Sequence, residues 1–142
     1  ELFETDLEII IQVDDEVAGV EVMRSLLQPL VENVFVHAFR NMVSQKVLLI
    51  KAGSRDGFLE IEVTDNGCGM EETAISQILG VKGSSLPQRM DGRESLGVRS
   101  VVRRIELIYG APYRMEITSV LGSGTTMRLV LPLSHNNEKG EI

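Results

Sequence analysis

The chain of 142 residues contains a single cysteine, Cys68, so no internal disulfide can form. One thiol in an otherwise cysteine-free sequence points to a reducing, cytoplasmic setting, with Cys68 expected to be a small packed side chain. Apolar runs fall far short of the ~20 residues a membrane-crossing helix requires, and the opening residues form no charged-then-apolar targeting segment. Basic residues are scarce as well: 14 Lys and Arg stand against 21 Asp and Glu, a net charge of −7. That balance argues against a surface built to track nucleic-acid phosphates. Two common phosphate-loop signatures are missing, since no Gly-x-x-x-x-Gly-Lys-Ser/Thr stretch occurs and no Gly-x-Gly-x-x-Gly follows a strand-like run. Any phosphate must therefore be held by backbone N–H groups, by a helix N-terminus or through a metal ion.

What remains is ordinary globular composition, 43% hydrophobic and 25% charged, in a chain long enough to bury a core without staples. Residues 1–133 are read as one domain, and the polar stretch 134–142, which holds His135, as a disordered tail. Because the sequence opens on Glu1 and not on methionine, it reads as part of a longer protein or as a processed chain, which leaves room for a membrane anchor upstream.

Alternation of Leu7, Ile9, Ile11 and Val13 with Glu8, Ile10 and Gln12 predicts a strand with one face well buried. Ser25 followed by Gln28 has the form of a capping box, and the apolar stripe from Leu26 to Ala38 predicts a helix over about 26–39, with Pro29 in its first turns. Two strand-like runs, 46–52 and 58–64, are joined by Gly53-Ser54-Arg55-Asp56-Gly57, whose Asp-Gly pair favours a tight hairpin turn. The stretch 80–94, rich in glycine and serine, reads as a long loop of lid type. Helical spacing resumes over 96–108 and closes on Gly110; strands over 114–120 and 125–131 follow. This order predicts an α+β fold, a two-layer α/β sandwich with helices on one face of a mixed, mostly antiparallel sheet.

Three places stand out chemically. Asn33 and His37, four apart, emerge on one face of the first helix beside Glu32. An amide oxygen suits Mg²⁺, which prefers hard oxygen ligands and leaves other positions to water and phosphate; the plainer alternative is a polar residue on a solvated helix face. Asp65-Asn66-Gly67-Cys68-Gly69 leaves the end of a strand. An ionised Asp accepts hydrogen bonds only, so it matches an exocyclic amino group such as that of adenine, and the glycines let backbone approach a flat base. Taken alone, the same string also fits a simple turn or a calcium-type loop. Ser95-Leu96-Gly97 opens the last helix, whose first N–H groups suit a phosphate.

In order along the chain, Leu27-Gln28-Pro29-Leu30-Val31-Glu32-Asn33, Asp65-x-Gly67-x-Gly69, Gly97 in a helix ending Ile108-Tyr109-Gly110, and Gly122-x-Gly124-Thr125-Thr126 resemble the GHKL ATPase superfamily (the Bergerat, or HATPase_c, fold), and within it the LytS/YesM-type sensor histidine kinases. The resemblance runs from about Leu2 to Leu133. It implies ATP bound with Mg²⁺ between the first helix, the lid and the last helix. On that resemblance Asn33 is the Mg²⁺ ligand, His37 its neighbour near the phosphates, and Asp65 the adenine-reading carboxylate. Gly67 and Gly69 form the adjoining glycine box, Gly97 anchors the lid, and Thr125 supplies a hydroxyl near the Asp-bound water. Glu32 is the carboxylate placed to assist proton removal from an acceptor histidine.

The resemblance further implies a dimerisation and phosphoacceptor domain elsewhere in the same kinase, a response regulator beyond it, and no autophosphorylation by the fragment alone. Several positions depart from the pattern. Val36-His37-Ala38 stands for a frequent Lys-His-Gly, Ser95-Leu96-Gly97 for Gly-x-Gly, and Ser100 for an Asn. Hydrolysing relatives place a water-activating Glu where this chain has Pro29, which favours transfer to a protein acceptor over hydrolysis. Two other readings compete: a degenerate nucleotide-binding or protein-interaction module, and a serine kinase of the anti-sigma type.

Overall fold

A computed structural model describes residues 7–42, 45–80 and 94–133. The loop expected over 80–94 falls, apart from its two end residues, outside the described residues, as do the tail 134–142 and His135. The elements are β1 (Leu7–Val13), α1 (Arg24–Asn33), β2 (Lys46–Arg55), β3 (Phe58–Asp65), α2 (Glu72–Leu79), α3 (Glu94–Ile108), β4 (Arg114–Val120) and β5 (Gly124–Pro132). The strands form one sheet in the order β1-β2-β3-β5-β4. β1 runs parallel to β2, and every other pairing is antiparallel. The architecture is the expected α+β sandwich with a mixed, mostly antiparallel sheet.

One face of the sheet is apolar because the strands alternate. On β3 the residues Leu59, Ile61 and Val63 are buried, and on β5 Met127, Leu129 and Leu131. Leu26, Leu30 and Val34 from the α1 side and Val98, Val101 and Ile105 of α3 join them in one core. Each such side chain contributes about 1.5–3 kcal/mol by leaving water. The outer face carries a charged ladder instead: Arg128 bridges Glu62 and Glu116 at 2.9 Å each, and Arg114 reaches Glu116 at 2.7 Å. The β2–β3 turn is the two-residue kind expected of Asp-Gly, with Asp56 at φ 53° and Gly57 at φ 84°.

The structure corrects three expectations. β1 forms, but the face expected to be buried is open: Ile9 is 49% and Ile11 64% exposed. Their register partners on β2 are Leu48 and Ile50, so β1 carries the apolar face outward to the sheet edge, past its buried part. Next, α1 starts at Arg24 behind Met23, with no side-chain cap. Ser25 lies inside the helix, and Gln28 donates to Glu32 at 3.0 Å in place of a capping contact. Pro29 denies the Ser25 carbonyl its helical N–H, and Arg104 of α3 donates to that oxygen at 3.4 Å. Beyond Asn33 the helix widens into a π turn over Val34–Ala38, closed by the Phe39 N–H on the Val34 carbonyl at 3.0 Å. Finally, Cys68 is exposed, not packed. Its backbone is held on both sides while its side chain points away from the core.

Candidate functional site

The apolar face of the sheet ends in a polar row. Asp65 on β3 pairs across to Thr125 on β5, and Thr125 to Ser119 on β4. Cross-strand partners share a face, so these three side chains continue the rows of Val63, Met127 and Ile117 where apolar residues stop. Asp65 and Thr125 are each 5% exposed, the two polar side chains buried among the described residues. A buried carboxylate is costly unless hydrogen bonded. Asp65 Oδ1 accepts the Gly67 N–H at 2.8 Å, and the carboxylate also accepts the Thr125 N–H. Burial raises its pKa above the usual 3.8, and the two N–H donors oppose that rise.

The loop leaving Asp65 is pinned to β2 on one side and to β4 and the β4–β5 turn on the other. Asn66 Oδ1 accepts the Val47 N–H at 2.8 Å, and Asn66 Nδ2 donates to the Gln45 carbonyl at 3.0 Å. On the other side the Met70 N–H donates to Ser119 Oγ at 2.8 Å, and the Gly122 N–H to the Cys68 carbonyl at 2.8 Å. Gly67 sits so close to the end of the π turn that a Cβ there would overlap the Ala38 carbonyl. That carbonyl accepts the Cys68 N–H at 3.1 Å. Gly69, at φ 79°, faces the Val120 carbonyl equally closely. Both glycines are needed for backbone-to-backbone contact.

The second cluster is helical. Glu32, Asn33 and His37 line a cavity of about 150 Å³ with Pro29 and Gly97. The π turn widens the helix yet keeps Asn33 and His37 on one wall. Arg40 Nη2 lies 3.1 Å from His37 Nδ1. A guanidinium only donates, so Nδ1 is the acceptor in this contact. Gly97 is the fourth residue of α3, deeper in the helix than its expected first turn, and a Cβ there would sit 3.8 Å from Pro29 Cβ.

The structure thus groups the candidate residues in two sets. Asn33, His37, Glu32 and Gly97 share the helical cavity; Asp65, Gly67, Gly69 and Thr125 belong to the sheet-end cluster and do not line it. The sets adjoin where Gly67 and Cys68 abut Ala38, the residue after His37. Sequence reasoning missed Ser119 and Asn66, whose partners are remote in the chain. It also missed Arg99 of α3, whose Nη1 donates to the Gln77 carbonyl in the last turn of α2.

A family model described as histidine kinase-, DNA gyrase B- and HSP90-like ATPase matches residues 6–135. Sensor histidine kinase YesM of Bacillus subtilis is 28% identical over 130 residues, 92% of this chain and 20% of that protein. Sensor protein LytS of Oceanobacillus iheyensis is 30% identical over 122 residues, 86% of this chain and 20% of that protein. The chain therefore spans about a fifth of the length of these curated relatives. Among solved structures, the catalytic domain of histidine kinase ThkA is 18% identical with a TM-score of 0.63, covering 93% of this chain and 82% of that one. The histidine kinase domain of the Erythrobacter litoralis EL346 blue-light activated kinase is 22% identical with a TM-score of 0.61, covering 94% of this chain and 54% of that one. At these identities the two structures establish the shared fold.

Proposed function

The chain belongs to the histidine kinase-, DNA gyrase B- and HSP90-like ATPase family, and from that premise we propose that it is the ATP-binding catalytic domain of a two-component sensor histidine kinase of LytS/YesM type. The observation that carries this reading is the buried Asp65 carboxylate at the end of an apolar sheet face, beside a glycine loop that abuts the wall holding Asn33 and His37. A carboxylate that accepts only, set against apolar neighbours, suits a flat base bearing an amino group. Gly67 and Gly69 let the backbone follow that base, and the cavity of Asn33, His37 and Gly97 suits the phosphates.

The donor set also fits Mg²⁺. Among the described residues no three His, Cys, Asp or Glu side chains gather, whereas Asn33, whose carboxamide carries a hard oxygen, lines the helical cavity. One protein oxygen, completed by water and phosphate oxygens, is a usual arrangement for this ion. When bound, Mg²⁺ neutralises charge developing on the phosphate chain. The rest falls to the protein: Asn33 and His37 orient the γ-phosphate for in-line attack by a histidine nitrogen of a separate dimerisation domain. The new N–P bond forms as the bond to the β-phosphate oxygen breaks, and Glu32 takes the histidine proton. Thr125 supports the base, and Gly97 keeps the helical cavity open beside Pro29. In this proposal the phosphoryl group passes on to a response regulator, and the domain lies on the cytoplasmic side of a membrane-anchored sensor. No helix among the described residues is long and apolar enough to cross a membrane.

Calorimetric titration of ATP, with and without Mg²⁺, tests the site on the native chain and on Asp65→Asn and Asn33→Ala. Asp65→Asn should lose ATP affinity by about a hundredfold, the scale of a lost charge-assisted hydrogen bond in a buried site. Asn33→Ala should lose the Mg²⁺ dependence. Equal binding by all three proteins would remove both assignments. Phosphotransfer is tested by adding a histidine-bearing dimerisation domain, with transfer expected only in its presence; stable phosphohistidine on the chain alone would contradict the proposal.

A further inference from the structure

The third member of the polar row, Ser119, constrains the other two through its protons. A serine hydroxyl has one proton and two lone pairs. At Ser119 one lone pair takes the Met70 N–H at 2.8 Å. The proton goes to the Gly124 carbonyl oxygen at 2.9 Å, a group that can only accept. Thr125 Oγ1 lies 2.8 Å from Ser119 Oγ. With the Ser119 proton committed to Gly124, the proton between the two hydroxyls must be that of Thr125. Ser119 is then saturated, and Thr125 keeps lone pairs alone for any further partner.

We infer that Ser119 is a specificity-determining residue acting through Thr125: by drawing in the Thr125 hydroxyl proton, it leaves Asp65 and Thr125 side by side as acceptors, so the row admits a purine with an exocyclic amino group and rejects one with a carbonyl there. The inference deepens the nucleotide reading above and rests on it. Asp65 alone discriminates incompletely. A threonine hydroxyl free to rotate would offer its proton to a carbonyl oxygen and partly offset the repulsion between that oxygen and the carboxylate. Fixing the proton inward removes this rescue, and a site whose groups all demand donors rejects an acceptor far more strongly than one that can adapt. Ser119 touches no base in this arrangement. It is a positioning residue, and it also holds the Met70 end of the glycine loop to β4.

The test is a comparison of ATP with inosine triphosphate, which carries a carbonyl where adenine has its amino group. Both are titrated into the native chain, Ser119→Ala, Ser119→Thr, Thr125→Val and the double variant Ser119→Ala/Thr125→Val. Freed from Ser119, Thr125 can donate, so in Ser119→Ala the preference for ATP should shrink about tenfold, the scale of one hydrogen bond, with tighter inosine triphosphate binding making up part of the change. Ser119→Thr, which keeps the hydroxyl, should restore the native ratio. In the Thr125→Val background, removing Ser119 should leave the ratio untouched, because no hydroxyl remains to turn.

A purely structural role would weaken both nucleotides together and leave their ratio as it was, and that result would overturn the inference. A ratio change that persists in the valine background would also overturn it. Thr125→Val leaves the Ser119 bonds to Met70 and Gly124 in place and so gives an arm independent of Ser119→Ala folding. There ATP should weaken while inosine triphosphate holds or gains, because the lone pairs that face its carbonyl are gone; a loss of inosine triphosphate as large as that of ATP would show a donating hydroxyl and refute the proton assignment. Failure of the native chain to bind either nucleotide would instead remove the nucleotide reading itself.

Discussion

The sheet-end cluster and the helical cavity are built in contrasting ways from the same chain. Around Asp65 the side chains stand on three hydrogen-bonded strands, and the adjoining loop is tied on one side to Val47 and Gln45 and on the other to Ser119. Around Asn33 the scaffold is a helix with a proline in it, a widened turn after it and an arginine standing in for a lost backbone donor. The first arrangement fixes donor and acceptor directions closely, as recognition of a base edge requires. The second leaves room for adjustment, which suits phosphates held partly by an ion and water. On the proposed function, shape selection belongs to the sheet, and the adaptable grip to the helix.

Gly67 joins the two regions, so substituting it should have the largest effect. In Gly67→Ala the new Cβ meets backbone of Ala38, which cannot swing aside. A loss of about 3 kcal/mol is expected from overpacking against a fixed neighbour. Chemical denaturation measures it, and an unchanged midpoint would mean the two regions are not pressed together.

A middle-sized effect concerns Asp65 in the nucleotide-free protein. Burial lifts its folded pKa above 3.8, so between these two values the folded state holds more protons than the unfolded one. The sign follows: stability contributed by protonated Asp65 is fully present below 3.8 and is lost as pH rises through the folded pKa. Native chain and Asp65→Asn, melted across that window, should therefore differ by an amount that changes with pH. Parallel profiles would show that the sheet-end cluster imposes no charge penalty and would blur its contrast with the open helical side.

The smallest effect lies on the helical side. Pro29→Ala returns an N–H to the Ser25 carbonyl and makes Arg104 redundant there. A stability gain of about 1 kcal/mol or less is expected in thermal melts, because the helix already compensates for the proline. A loss instead would place Pro29 among the rigid elements and erase the distinction.

Much of this could be read in the sequence. The bounds of β4 were predicted as found, as was the Asp56-Gly57 turn, because alternation and turn chemistry act over a few residues. Periodicity reports which face is apolar but not how far a covering layer reaches, hence the wrong expectation for β1. The capping pattern at Ser25 failed because the helix began one turn's fraction earlier, behind Met23, and Gln28 found Glu32. Asp65 and Asn33 stood out because their neighbours in sequence form recognisable strings. Ser119 did not: its bond to Met70 spans 49 positions, and only the register of β4 on β5 brings it beside Thr125.

Arg99 ties α3 to the last turn of α2, so segment 81–93 departs from and returns to posts already braced against each other. Loop-closure cost grows only slowly with length, and here the scaffold, not the segment, sets the distance to be closed. A change of length between these two posts is thus expected to cost the scaffold little.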